Sequence, residues 1–148
     1  MKVLISDPKK LLKKAGLSQK EVRETARRIL EREYRGDIPL SRIKVSLVFV
    51  DDEAMIPINR AYTGREGSTD VLSFPMMDEV DKDGSFAVLG EVIVSIDRAL
   101  SQAKEAGWSS ASEVKLLVIH GLLHLLGYDH VSEEESVKMR LKEKEYLI

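Results

Sequence analysis

The 148-residue chain has no cysteine, a single tryptophan, four prolines and no apolar run near the roughly 18–20 residues that span a bilayer. Without cysteine there is no disulfide framework, and a membrane partner is not expected. Met1 to Lys10 holds only three consecutive apolar residues before charge returns, too few for a signal-peptide core. A cytoplasmic location is therefore expected. Histidine is scarce too: all three in the chain fall between positions 120 and 130.

What is present describes one globular domain over residues 1–148, with 43% apolar and 32% charged residues. The net charge of −2 hides an asymmetry. Residues 1–50 carry 13 Lys and Arg against 6 Asp and Glu, and the remainder carries 10 against 19. The basic third either contacts phosphates, through Lys9, Lys10, Lys13, Lys14, Arg23, Arg27, Arg28 and Arg32 in bulk, or is a solvated helix face.

Periodicity predicts the order β-α-β-α-β-β-α-α-α. Lys2 to Ser6 reads as a short edge strand. Ser18 with Glu21 forms a capping box for a helix carrying Val22, Ala26, Ile29 and Leu30. Ile43 to Val50 is a β-branched strand, and Asp51 or Asp52 caps a helix reaching about Ala61. Thr63 to Thr69 is a loop, Val71 to Phe74 a short strand closed by Pro75, and Met76 to Phe86 a mobile connection. Leu89 to Ile96 is a strong strand, and Asp97 caps a helix stopped at Gly107. Ser109 or Ser110 starts a long helix with Val114, Leu117, Val118 and Leu122 as its apolar stripe, and Ser132 with Glu135 opens the last helix. The expected fold class is α+β: a small mixed sheet of about four strands packed with helices, with a metzincin-like histidine site on a long helix.

The histidines stand in His120-Gly-Leu-Leu-His124-Leu-Leu-Gly-Tyr-Asp-His130. Residues four apart on a helix lie about 40° apart around its axis, so His120 and His124 can grip one ion from one face. Gly127 allows the left-handed turn that brings His130 back to them. Three imidazoles with a vacant fourth position suit one catalytic Zn2+ ion better than a closed structural site. The spacing matches the metalloprotease pattern H-E-x-x-H-x-x-G-x-x-H, but the glutamate that serves there as general base is replaced by Gly121. Three neutral ligands leave the full charge on the ion, which suits phosphate.

These residues closely resemble the signature of the YbeY family, metal-dependent endoribonucleases of bacterial ribosomal RNA maturation. Two further stretches agree: Asn59 and Tyr62 leading into Ser68-Thr69-Asp70-Val71-Leu72-Ser73-Phe74-Pro75, and Leu89-Gly90-Glu91-Val92-Ile93-Val94-Ser95. The resemblance implies a zinc held by His120, His124 and His130. It also implies a single-stranded RNA substrate, chiefly precursor ribosomal RNA of the small ribosomal subunit, and a role in ribosome quality control. The family usually reads Tyr-Arg-Gly where this chain reads Tyr62-Thr63-Gly64, so either Arg60 or Arg65 takes over as a substrate-binding residue, or the step does not depend on an arginine there.

Asp129 is a candidate to orient a ligand imidazole or a water, against the simpler reading that aspartate tolerates a turn. Asp70 is expected to order its loop through backbone N–H groups. Glu91 either faces the site or is solvated, and Trp108 is read as core. Two rivals to the endoribonuclease stay open: a non-catalytic zinc-stabilised ribosome-assembly factor, and a metalloprotease, against which Gly121 argues.

Overall fold

The computed structural model describes residues 1–77, 80 and 84–147. Its elements in order are β1 (Lys2–Ser6), α1 (Leu11–Lys14), α2 (Gln19–Glu33), a 3-10 turn (Leu40–Arg42), β2 (Ile43–Val50), α3 (Asp52–Thr63), β3 (Val71–Pro75), β4 (Ala87–Ser95), α4 (Ile96–Ala106), α5 (Ser110–Leu125) and α6 (Glu133–Leu147). The strands form one mixed sheet in the order β1-β2-β4-β3. β1, β2 and β4 are parallel, and β3 runs antiparallel along β4 as the second edge. The expected α+β class and mixed four-stranded sheet are what is found.

One face of the sheet carries the core. Ile43, Val45, Leu47 and Phe49 of β2 are buried while the residues between them are only half-buried, the period of two that follows from the pleat. Helix α5 contacts β3, β4 and the helices α2, α4 and α6, so it is the central helix of the molecule. Gly121 is what lets it lie so close. A Cβ there would sit 2.5 Å from Val92 Cγ1 of β4 and 3.2 Å from Ser73 Oγ of β3. Gly90 plays the matching part on β4, where a Cβ would meet the Phe74 carbonyl at 2.4 Å and Leu125 Cδ2 at 2.7 Å. Between them the two glycines set the histidine helix against the β3–β4 pair.

The structure adds two elements to those expected. Helix α1 is four residues long, too short to show a period, and is held by the Asp7 carboxylate accepting from the Leu11 and Leu12 amides at 2.7 and 3.0 Å. The 3-10 turn is the other. One cap is corrected: Ser95, not Asp97, caps α4, because the helix begins at Ile96 and the Ser95 hydroxyl accepts from the Arg98 amide. Asp97 instead accepts from the Asp52 amide at 2.8 Å, joining the starts of α3 and α4. Within the expected mobile connection from Met76 to Phe86, residues 78–79 and 81–83 lie outside the described residues, and Val80 bridges to Ala87.

Candidate metal centre and active site

The histidines come together as their spacing requires. His120 and His124 are one turn apart near the end of α5, and α5 ends at Leu125 with Leu126 as its cap. Gly127 follows at φ 101°, and the chain returns with His130 beside the pair. One ring nitrogen from each histidine lies within 4.8 Å of the other two. His120 Nε2 and His124 Nε2 are 3.1 Å apart. Two ligand nitrogens about 2.0–2.1 Å from one tetrahedral ion are separated by about 3.3 Å, so this donor set fits a zinc-sized ion.

The environment favours the neutral, ligating form. Burial, and then the neighbouring His120 and His130, push the His124 pKa below its ordinary value. Glu143 of α6 completes the arrangement: its Oε1 lies 2.6 Å from His120 Nδ1. A carboxylate there accepts a hydrogen bond from Nδ1–H, fixing the tautomer whose Nε2 lone pair faces His124 and His130. Sequence reasoning missed Glu143. It is one of several glutamates in an alternating Lys/Glu helix, 23 residues from its partner, and only the packing of α6 on α5 singles it out.

A second carboxylate secures the returning loop. Glu33 at the end of α2 accepts from Tyr128 Oη at 2.5 Å, Tyr146 Oη at 2.6 Å and Lys142 Nζ at 3.2 Å. Burial alone would raise the Glu33 pKa, but these three donors outweigh it and hold the carboxyl below its ordinary range. Tyr128 precedes His130 by two residues, so α2 and α6 together fix the loop that delivers the third histidine.

The centre opens into a groove of about 790 Å³. One wall is β3, with Val71, Ser73 and Pro75, and the other is α5 and the turn from Gly127 to His130. Ser73 Oγ donates to the Gly121 carbonyl at 3.2 Å and ties the walls together. Asp70, Glu113, Asp129 and Glu143 also line the groove. Behind the histidines a smaller cavity of about 170 Å³ is lined by His120, His130, Met139, Arg140 and Glu143.

The other candidates sort by position. Asp129 lines the groove, and its Oδ1 accepts its neighbour's His130 amide at 2.7 Å, so it shapes the turn. Asp70 behaves as expected, accepting from the Val71 amide at 2.7 Å and from Gln102 Nε2 at 3.3 Å. Glu91 takes the opposite phase to Val92 on β4 and therefore faces away from α5 and the histidines; burial raises its carboxyl pKa. Trp108 is 40% exposed rather than core, and its indole donates to the buried Glu113 at 2.8 Å. Arg60 is exposed and paired with Glu66 at 3.3 Å, and Arg65 is exposed in the following loop; neither lines the two cavities at the histidines. Thr63 is occupied locally, with its Oγ1 2.8 Å from the Asn59 carbonyl and accepting from the Arg65 amide. Arg140 has neither a hydrogen bond nor an ion pair among the described residues.

The model of the endoribonuclease YbeY family matches residues 9–148. The chain belongs to that family. Relatives named endoribonuclease YbeY include one from Caldanaerobacter subterraneus, 37% identical over 156 residues and covering 99% of this chain and 96% of that protein. Another, from Clostridium botulinum, is 45% identical over 121 residues, or 70% of this chain and 73% of its own. A solution structure of a Thermotoga maritima protein is similar with a TM-score of 0.64 and 29% identity, covering 99% of this chain and 87% of that one. Membership of the YbeY family makes the chain an endoribonuclease, and the histidine cluster is the part of it suited to binding a metal. Among the described residues no helix is long and apolar enough to cross a membrane.

Proposed function

We propose that the chain is a zinc-dependent, single-strand-specific endoribonuclease acting on precursor ribosomal RNA of the small ribosomal subunit, in late maturation and quality control in the cytoplasm. The observation that carries this reading is the cluster of three convergent imidazoles at the end of an open groove, with Gly121 where a peptidase would need a base. That glycine is packed against Val92, so no side chain at 121 can reach the ion without moving α5. His120, His124 and His130 would hold the ion, which would supply Lewis acidity toward a phosphoryl oxygen. Glu143 keeps His120 in the ligating tautomer, and Asp129 holds the turn that presents His130. Arg140, beside His120 and His130 and without a partner among the described residues, provides the guanidinium that offsets charge on the phosphate in the transition state. Arg60 and Arg65 contact the RNA backbone further along the strand.

The test is cleavage of a single-stranded RNA by metal-stripped protein before and after addition of zinc, with His124→Ala and Arg140→Ala alongside. Activity should vanish on stripping and return with zinc, and should be absent in His124→Ala. Arg140→Ala should lower kcat at unchanged zinc content. Full activity in the stripped protein would overturn the zinc assignment. Normal ribosome maturation by a stably folded His124→Ala protein would favour a non-catalytic assembly factor instead.

A further inference from the structure

The ladder between β3 and β4 fixes which backbone groups of β3 point away from β4. The Ser95 amide donates to the Asp70 carbonyl at 2.8 Å, and the Met76 amide donates to the Leu89 carbonyl at 3.1 Å. In an antiparallel pair the hydrogen-bonded positions alternate, so Asp70, Leu72, Phe74 and Met76 point their peptide groups at β4. Those of Val71, Ser73 and Pro75 point outward, and these residues line the groove together with Asp70 and Leu72. The Val71 N–H is taken by Asp70 Oδ1, and Pro75 has none. Among the described residues the outer edge of β3 therefore offers three carbonyl acceptors, at 71, 73 and 75, and one donor, the Ser73 N–H.

The donors around the groove are spent in the same way. Tyr128 donates to Glu33, Trp108 to Glu113 and Gln102 to Asp70, while the carboxylates of Asp70, Glu113, Asp129 and Glu143 line the walls. Such a lining repels phosphate and accepts amino groups. A nucleic acid whose phosphate reaches the histidines must therefore turn a base, and not its backbone, into the groove.

We propose that the outer edge of β3 is a base-reading subsite that selects guanine next to the cleaved phosphate. This rests on the endoribonuclease reading above and adds the base to it. Guanine alone among the four bases presents more donor than acceptor positions on its pairing edge, N1–H and the 2-amino group beside O6, and so complements one N–H and several carbonyls. Uracil and cytosine present more acceptors than donors. The subsite also accounts for single-strand specificity, because in a duplex the same base edge is already paired.

The experiment uses zinc-loaded full-length protein and short single-stranded RNAs of uridine carrying one guanosine, the same strand with inosine in its place, and uridine alone. Both kcat/KM and Kd by fluorescence anisotropy are measured. Cuts should fall at one fixed position relative to the guanosine. Inosine, which lacks only the 2-amino group, should weaken both quantities by about three- to tenfold, the effect of one net hydrogen bond. The all-uridine strand should be weaker still.

Ser73→Pro removes the outward N–H and leaves the ladder to β4 intact, since Pro75 already occupies the same phase of the strand. Compared with Ser73→Ala, which loses the same hydroxyl, it should bring the guanosine-to-uridine ratio toward one. Equal rates and affinities for all three strands in the wild type would overturn the proposal. Tighter binding of the guanosine strand with no cleavage of any RNA would support the subsite and overturn the endoribonuclease assignment.

Discussion

His120 is aimed from outside its own helix, and the chemistry of the centre depends on that. An unbraced imidazole interconverts between tautomers and ring orientations, and only one of them directs Nε2 at the position shared with His124 and His130. The 2.6 Å contact from Glu143 selects it. Glu143→Gln keeps the shape but loses the charge. It should weaken zinc binding by about 10–100-fold, measured by competition with a chromophoric chelator, while the melting temperature of the metal-free protein changes little. Unchanged zinc affinity would reduce Glu143 to an incidental neighbour. At this scale the cluster of three histidines was legible in the sequence, since no other histidine competes with them. Glu143, Glu33 and Arg140 were not, because nothing in the local pattern of α2 or α6 distinguishes one charged residue from the next.

Apart from the α4 cap, helix starts were legible, because their signal is local. The Ser18–Glu21 capping box forms both of its bonds, and Ser109 and Ser132 accept from the Ser112 and Glu135 amides. What sequence leaves open is how elements meet, and Gly121 shows why. Mid-helix glycine reads as a defect costing about 0.8–1.0 kcal/mol relative to alanine, yet its missing Cβ is where Val92 packs. Gly121→Ala therefore sets a propensity gain below about 1 kcal/mol against overpacking of typically 1–3 kcal/mol. Overpacking should win, because the close atom belongs to a buried β-branched side chain in the central strand. The expected result is a net loss of up to about 2 kcal/mol in urea unfolding, with reduced activity as α5 lifts from β4 and carries His120 and His124 with it. A more stable Gly121→Ala protein would show that α5 has room the packing does not suggest.

For the molecule as a whole, the groove lies between α5, the β3 edge and the turn from Gly127 to His130, with Glu143 of α6 beside it, and its acidic lining has a consequence for folding. Glu113 on α5 is buried, and its carboxyl is raised above the ordinary 4.5, chiefly by desolvation, against the lowering effect of the Trp108 bond and with a further rise from Asp70. Between 4.5 and the raised value the folded chain keeps a proton that the unfolded chain has released, so stability must fall as pH rises through that window. The contribution is complete below the unfolded pKa and is lost above the folded one. Trp108 is the only tryptophan and touches this carboxylate, so its fluorescence reports the ionisation directly. Wild-type fluorescence should titrate with a midpoint above 4.5, and Glu113→Gln should abolish that step. In urea unfolding between about pH 4 and 8, the stability of wild type relative to Glu113→Gln should decline as pH rises. The comparison cancels His124, whose depressed pKa gives the opposite slope and is common to both proteins. A difference that stays flat or rises with pH would mean that the groove is wet enough to solvate Glu113, and that its floor is less closed than the packing of α5 on the sheet implies.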